Sequence, residues 1–291
     1  MSSLGIACAS GTYKGVFVHG VLSAFEASGL RADAYAGASS STLSTAAAAI
    51  EKAVEMGVAC WCEMLRRPAG SGGSMSEVVL QSITKYGSML REHLGEAHLP
   101  RLIIAASAVA SGEAAEETQG RKARQLGRRL LISAMRKDRS WVDGNLRTHL
   151  FDTAASDSEF RLTADNFEAV AYASTRMLHA WDIPAWVDGK PYVDASYTCS
   201  CPALELARLG YREIIAIGTE PGILYTDLFR TQSVPTDWNG VPIHIIKPET
   251  DLKEMGVDFT SATEEGFVAA YRHGEEKGQE FISSRGNSRG S

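Results

Sequence analysis

The amino-acid sequence predicts an α/β protein of three layers, in which a mainly parallel central sheet is flanked by helices. Apolar runs typical of buried strands alternate along the chain with segments of helical periodicity. Of the 291 residues, 44% are apolar and 22% are charged, as in globular domains. Residues 1–282 are therefore predicted to form one domain, and residues 283–291, rich in Ser, Gly and Arg, a disordered tail.

The first elements alternate in the order expected of a parallel sheet. Residues 4–9 form a short apolar run, which predicts a buried strand. Apolar residues at helical spacing follow over residues 16–25, and Ser28-Gly29 ends that helix. Residues 32–37 predict the second strand, and residues 40–54, which open with small side chains, predict the next helix.

Residues 51–97 predict helices that are divided by a Gly/Ser-rich loop at residues 69–74. That loop is either a mobile lid over a site or a linker between helices, and composition alone does not decide. Asp188-Gly189, flanked by apolar residues, predicts a hairpin whose second arm ends on Asp194. The other predicted elements are strands at 102–109, 213–218 and 243–246, and helices at 166–176, 202–209 and 263–281.

A basic amphipathic helix is predicted between residues 121 and 137, where the chain has seven positive side chains and no acid. Small and aliphatic residues form a short stripe on it: Ala123, Leu126, Leu130 and Ala134. Two interpretations stay open, contact with an anionic membrane surface or a solvated helix with its stripe on the core.

Charge and cysteine content narrow the class of protein. A formal net charge of −6 argues against nucleic acid as a partner, because phosphate binding needs a positive field. No apolar run is long enough for a transmembrane helix, and no signal peptide is recognised. The two C-x-C pairs lack zinc-site spacing, so reduced, buried thiols in a cytoplasmic protein are expected. The five cysteines are Cys8, Cys60, Cys62, Cys199 and Cys201.

Ser39 stands between a predicted strand and a helix, in the pattern G-x-S-x-S. A serine on such a sharp turn exposes its hydroxyl, as in the G-x-S-x-G nucleophile elbow. The alternative is a helix N-cap, for which serine is also favoured. Earlier in the chain, the glycine-bearing loop 10–15 would gather backbone N–H groups into a concavity for an anion or oxyanion. An ordinary β–α turn is the alternative there.

Taken in chain order, these motifs resemble the patatin-like phospholipases, the lipid acyl hydrolase family. The matching segments are Ala9 to Gly15 leading into Gly20-Val21-Leu22, then Gly37-Ala38-Ser39-Ser40-Ser41, and then Tyr192-Val193-Asp194-Ala195-Ser196. Leu206 to Gly210 and the terminal helix with Gly274 and Gly278 are also similar. The resemblance covers nearly the whole chain and is thinnest over residues 55–150.

The resemblance implies a Ser–Asp dyad, in which Ser39 is the nucleophile and Asp194 the base. A serine hydroxyl needs such a base, and a carboxylate shielded from water has a pKa raised towards a useful value. The oxyanion hole implied is built from Gly11 and Thr12, with Lys14 and Ser40 beside them. No cofactor and no metal, calcium included, is implied.

The predicted function is hydrolysis of lipid-type carboxylic esters through an acyl-Ser39 intermediate. The same dyad would serve an acyltransferase or a thioesterase, and the sequence does not separate water from another acceptor. A third possibility is a non-catalytic lipid-binding protein whose site has decayed. It depends on departures from the family pattern: Ala9, Ser10, Ser41 and Ala195 replace glycines, and Lys14 replaces an arginine.

Overall fold

The computed structural model describes residues 3–65 and 74–288, with the last two of these by backbone alone. Strands and helices alternate through most of this part of the chain. The strands are β1 Leu4–Cys8, β2 Ala34–Ala38, β3 Arg101–Val109, β4 Leu146–Asp152, β5 Ala185–Val187, β6 Lys190–Val193, β7 Glu213–Ile217, β8 Asp237–Trp238 and β9 Val241–Ile246. The helices are α1 Gly15–Ala27, α2 Thr42–Ala49, α3 Ala53–Met56, α4 Ala59–Leu65, α5 Met75–Arg91, α6 Gly112–Gln119, α7 Ala123–Met135, α8 Ser140–Asn145, α9 Phe167–Thr175, α10 Ala203–Arg208 and α11 Glu264–Ser288.

The strands of the described chain form one nine-stranded mixed sheet. Its centre is parallel, in the order β3-β2-β1-β7-β9. Antiparallel strands complete the two sides: β8 pairs with β9, while β4 and the β5–β6 hairpin lie beside β3. The predicted α/β class with a mainly parallel sheet is confirmed.

Helices cover both faces of the sheet. Neighbouring side chains of β1 point to opposite faces, so this strand contributes to two separate cores. Ile6 and Cys8 pack in the larger core, together with residues of α1, α2, α9 and α11. Ala7 and Ala9 pack in a second core that includes Leu204 and Leu206 of α10. The strands are apolar on both faces because both faces are buried.

Two predicted segments differ from the structure. The predicted helix at 40–54 is two helices, α2 and α3, because Glu51 has a left-handed backbone (φ 60°) that turns the chain between them. The predicted disordered tail is wrong for residues 283–288, which continue α11. The guanidinium of Arg285 there pairs with the Glu213 carboxylate at the start of β7, with Nη2 2.8 Å from Oε2. Residues 289–291 lie outside the described residues.

The predicted Gly/Ser-rich loop falls mostly outside the described residues, which resume at Ser74. Ser74 is the N-cap of α5: its hydroxyl accepts the Glu77 N–H, and the Glu77 carboxylate accepts the Ser74 N–H. The hairpin prediction is confirmed, with Asp188 at φ 49° and Gly189 at φ 75°, as a tight two-residue turn requires. No helix in the described ranges has the length and apolar character needed to cross a bilayer.

Candidate active site

The sheet brings the ends of β2 and β6 together, although β6 follows β2 by some 150 residues. β4 occupies one side of β3, so β2 and β6 both lie on its other side. Ala38, which ends β2, pairs with Ala105, and Val193, which ends β6, pairs with Ser107. Since β2 and β6 run in opposite directions, the chain leaves both strands beside the same point of β3.

Ser39 follows β2 directly and takes a left-handed backbone conformation, with φ 53°. A side chain in this conformation is strained by roughly 1–3 kcal/mol, and such strain is concentrated at functional turns. The Ser39 N–H donates to Ser174 Oγ in α9 at 2.8 Å, and Thr42 Oγ1 donates to the same Oγ at 3.2 Å. Ser39 therefore starts a sharp strand-to-helix turn, and its side chain caps no helix.

Asp194 follows β6 and is 1% exposed. Its Oδ2 accepts the hydroxyl of Ser39 at 2.7 Å, and its Oδ1 accepts the N–H of Ser196 at 2.8 Å. Burial raises the pKa of Asp194 to about 6, against the opposing effect of the hydrogen bonds from Ser196 and Ser39. A carboxylate with this pKa is ionised at pH 7 and is basic enough to take a proton.

The oxyanion loop, residues 10–15, lies next to Ser39, and Gly11 and Thr12 line the same cleft as that serine. Among the described residues, no group accepts a hydrogen bond from the backbone N–H of Gly11, Thr12 or Ser40. Gly11 is held against Thr219, whose side chain would lie 2.6 Å from an added Cβ. Thr12 is left-handed, with φ 50°. These unengaged amides beside the Ser39 hydroxyl suit a developing oxyanion.

The Lys14 side chain lies elsewhere, so its assignment to the oxyanion hole is corrected. Its ammonium contacts Glu220 and Asp251, each at 2.7 Å, and stands over the ring of Phe259. Burial alone would lower the pKa of Lys14, but the hydrogen bonds and charges of Asp251 and Glu220 raise it. Lys14 is thus a buried cation that ties the oxyanion loop to the segments after β7 and β9.

The departures from the glycine pattern are accommodated. Ser41 Oγ donates to the carbonyl of Ala9 at 2.5 Å, a contact that a glycine could not make, and so links the serine turn to the oxyanion loop. The methyl of Ala195 packs with Ala38, Ala105 and Cys199 in a small buried cluster. Neither side chain disturbs the Ser39–Asp194 hydrogen bond.

An apolar pocket and a polar cleft open on the two sides of Ser39. The pocket runs between α2, α4, α5 and α9, has about 70 Å³ of free volume, and is lined by Ser39 and Asp194 together with apolar side chains. These include Met56, Trp61, Met64, Val79, Ile83 and Met177. The cleft, of about 650 Å³, is bounded by the oxyanion loop and by residues 219–230. The largest share of the pocket wall comes from residues 56–86, in the region of thinnest resemblance.

The sequence did not single out Ser174, whose hydroxyl oxygen accepts the N–H of Ser39 in the serine turn. No motif in the neighbouring sequence indicates a role for Ser174, which lies near the end of α9 and 135 positions from Ser39. The same segment also holds Asp194, whose N–H donates to the carbonyl of Arg176 at 2.9 Å. Residues 174–176 therefore contact both members of the pair.

We expect Ser174→Ala to lower both stability and the chemical rate. The buried Ser39 N–H would lose its acceptor, which costs about 1–3 kcal/mol. If the protein hydrolyses esters, as its sequence predicts, kcat should fall roughly 10-fold, since the serine turn is less well held. Urea unfolding and steady-state kinetics would measure the two effects. Ser44→Ala is the stability control, because the Ser44 hydroxyl is also buried but has no partner in the described chain. Equal stability of the two variants would contradict the role given to Ser174.

No family model matches this sequence, and a search of curated proteins found no similar one. Residues 3–65 and 74–288 contain no cluster of three or more His, Cys, Asp or Glu side chains that would hold a metal ion. All five cysteines are buried thiols.

Proposed function

We propose that this protein is a serine acyl hydrolase of the patatin-like type, which cleaves lipid-type carboxylic esters through an acyl-Ser39 intermediate. One observation carries the proposal: the Ser39 hydroxyl donates a 2.7 Å hydrogen bond to a buried carboxylate of raised pKa, Asp194. A serine on a strained turn, paired with a carboxylate and flanked by unengaged amides, is the arrangement that nucleophilic catalysis needs.

The reaction follows from these groups. Asp194 takes the proton of Ser39 Oγ while that oxygen attacks the ester carbonyl carbon. The amides of Gly11 and Thr12 stabilise the oxyanion of the tetrahedral intermediate, and one such donor contributes about 3 kcal/mol. The intermediate collapses to acyl-Ser39 as the protonated Asp194 gives its proton to the departing alkoxide. Asp194 then takes a proton from a water molecule as that water attacks the acyl ester. It returns the proton to Ser39 Oγ as the bond between this oxygen and the acyl carbon breaks, which releases the acid and restores the free serine.

The two openings suit the two halves of an ester. The pocket lined by methionine, tryptophan and aliphatic side chains suits an apolar acyl chain, and methionine adapts to chains of different shape. The wider cleft suits the alcohol half, which is more polar and leaves first. An ester bound in this way would have its carbonyl carbon at Ser39, where pocket and cleft meet.

Hydrolysis of a series of p-nitrophenyl esters tests the proposal. We expect kcat/KM to rise at least about 10-fold from acetate to hexanoate, because each buried methylene contributes about 0.8 kcal/mol. Val79→Trp, which narrows the pocket, should favour shorter chains, while Val54→Trp, at an exposed position, should not. The proposal fails if no ester is turned over, or if kcat/KM does not depend on the length of the acyl chain in the wild type and in both variants.

A further inference from the structure

The outward face of α7 combines cations with exposed apolar side chains. Ala123, Leu126 and Leu130 turn inward and pack with Leu178 and Phe229, so the predicted stripe is satisfied by the core. The opposite side exposes Ile132 (52%) and Met135 (86%), two of the large apolar residues left exposed in the described chain. Arg124 and Arg128 lie on that same outward side, one helical turn apart.

Most cations of this helix make no close ion pair, although the charges of Arg124 and Arg136 act on the nearby carboxylates of Asp182 and Asp138. Among the described residues, only Arg129 of those between 121 and 137 comes within 4.0 Å of a carboxylate, that of Glu117. The others are exposed, and the structure records no ion pair for them: Arg121, Lys122, Arg124, Arg128, Arg136 and Lys137. The protein as a whole has a formal charge of −6, so this is a local positive surface on an acidic molecule.

The same helix forms one side of the polar cleft. Gly127 packs so closely on residues 178–179 that an added Cβ would lie 2.3 Å from the His179 nitrogen. His179 and Leu131 both line the cleft. Burial lowers the pKa of His179, and the positive charges of Arg124 and Arg128 lower it further.

Two further apolar side chains stand exposed on the cleft wall, Ile223 (63%) and Phe259 (45%). Neither belongs to α7, so the cleft wall carries exposed apolar groups from two further segments of the chain, while α7 contributes Leu131 to the same wall. All four side chains, these two and the two on α7, are exposed to water, although the Lys14 ammonium stands over the ring of Phe259. A surface that buries them and also neutralises the cations of α7 would contact the protein around the opening of the cleft.

We propose that α7 and the cleft rim dock on the surface of an anionic lipid bilayer, with the opening of the cleft towards the lipid. Anionic headgroups would meet Arg124 and Arg128, while Ile132 and Met135 would enter the boundary between headgroups and acyl chains. Nucleic acid would pair with the cations but would leave the apolar side chains uncovered, so a lipid surface matches the whole face. Docking itself is independent of catalysis; the delivery of a lipid ester to Ser39 rests on the proposed function.

Binding to vesicles, measured on the inactive Ser39→Ala protein, tests the docking without any catalysis. We expect co-sedimentation with vesicles of phosphatidylcholine containing about one third phosphatidylserine, and little with phosphatidylcholine alone. Arg124→Gln/Arg128→Gln should weaken binding at least about 10-fold, and so should raising the salt concentration to 0.5 M. The control Arg31→Gln/Arg212→Gln removes the same charge just before β2 and β7, where these central strands begin. Ser39 lies at the opposite end of β2, so the control should bind as before.

The apolar side chains have their own matched pair. Ile132→Ser/Met135→Ser should lose binding to the anionic vesicles, whereas Val54→Ser/Leu209→Ser, at exposed apolar positions elsewhere, should keep it. Equal binding by both pairs would overturn the proposal, as would no binding of the parent protein to anionic vesicles. Tight binding to DNA that depends on the two arginines but not on Ile132 and Met135, without vesicle binding, would assign the face to a polyanion instead.

A fluorescent label then reports which face meets the lipid. All five native cysteines are buried, so Met135→Cys offers one exposed thiol for a polarity-sensitive dye. Its emission should shift to the blue on anionic vesicles, and that of Leu209→Cys should not. The same shift at both positions would contradict docking through α7. None of these binding and fluorescence measurements depends on turnover, so a failure of the docking proposal would leave the ester-hydrolysis test unaffected.

Discussion

Asp194→Asn is expected to lower kcat for ester hydrolysis by about 10⁴-fold, the size of effect seen when a catalytic carboxylate becomes an amide. The amide keeps the shape of the carboxyl group and an oxygen for the Ser196 N–H. It cannot take the proton of Ser39, because an amide oxygen is a far weaker base. Steady-state kinetics on the best p-nitrophenyl ester measures the loss; a loss below about 10-fold would remove Asp194 from the role of base.

The raised pKa of Asp194 also predicts how activity depends on pH. The wild-type kcat/KM should fall about tenfold per pH unit below pH 6, since the protonated carboxyl cannot accept the Ser39 proton. A pH profile that stays flat between pH 7 and pH 5 would contradict this assignment. In Asp194→Asn this fall of kcat/KM at acid pH should be absent, and the residual activity should change little between pH 7 and pH 5.

The same carboxyl should make the wild type less stable at neutral pH than the amide variant. Folding raises its pKa from 3.8 to about 6, so ionised Asp194 is disfavoured in the folded state. At pH 8 this penalty is up to about 3 kcal/mol, and it disappears as the pH falls through 6 towards 4. Urea unfolding should therefore find Asp194→Asn more stable at pH 8 and similar at pH 4. If Asp194→Asn were less stable than the wild type at pH 8, the charge of Asp194 would be well solvated in the folded protein, which would contradict this prediction.

Ser39→Ala is expected to reduce ester hydrolysis at least about 1,000-fold, because the nucleophile is removed while the oxyanion amides remain. Ser88→Ala, at an exposed position in α5, is the matched control and should keep full activity. Ser39→Gly should be equally inactive but roughly 1 kcal/mol more stable than Ser39→Ala, since glycine adopts φ 53° without strain. Substantial activity in both Ser39 variants would mean that another group attacks the ester.

The parts of this fold that sequence predicts are those with a local cause. The apolar run of β1, the Asp188-Gly189 turn and the strand–Ser39–helix order each depend on neighbouring residues. β4 was not predicted, because the consecutive polar residues Arg147, Thr148 and His149 leave it with neither a continuous apolar run nor a strict alternation. Yet β4 decides the site, since its position beside β3 leaves β6 on the same side as β2.

The site was predictable as a set of motifs but not as a set of contacts. The family resemblance of the motifs at two strand ends implies Ser39 and Asp194 as a pair, and the structure brings Ser39 Oγ to 2.7 Å from Asp194 Oδ2. The role of Lys14 was wrong because its partners, Glu220 and Asp251, lie 206 and 237 positions away. Ser174 was missed for the same reason. Its hydroxyl matters only because α9 packs against the serine turn.

The most direct test of Ser39 as the nucleophile is to quench the reaction with acid during turnover of a p-nitrophenyl ester and to measure the mass of the protein. We expect the intact mass to rise by one acyl group and peptide mapping to find this group on Ser39. Asp194→Asn should show much slower acylation, and Ser39→Ala none. Turnover without any acyl-protein on a millisecond quench, or acyl groups on a residue other than Ser39, would contradict the claim that Ser39 is the nucleophile.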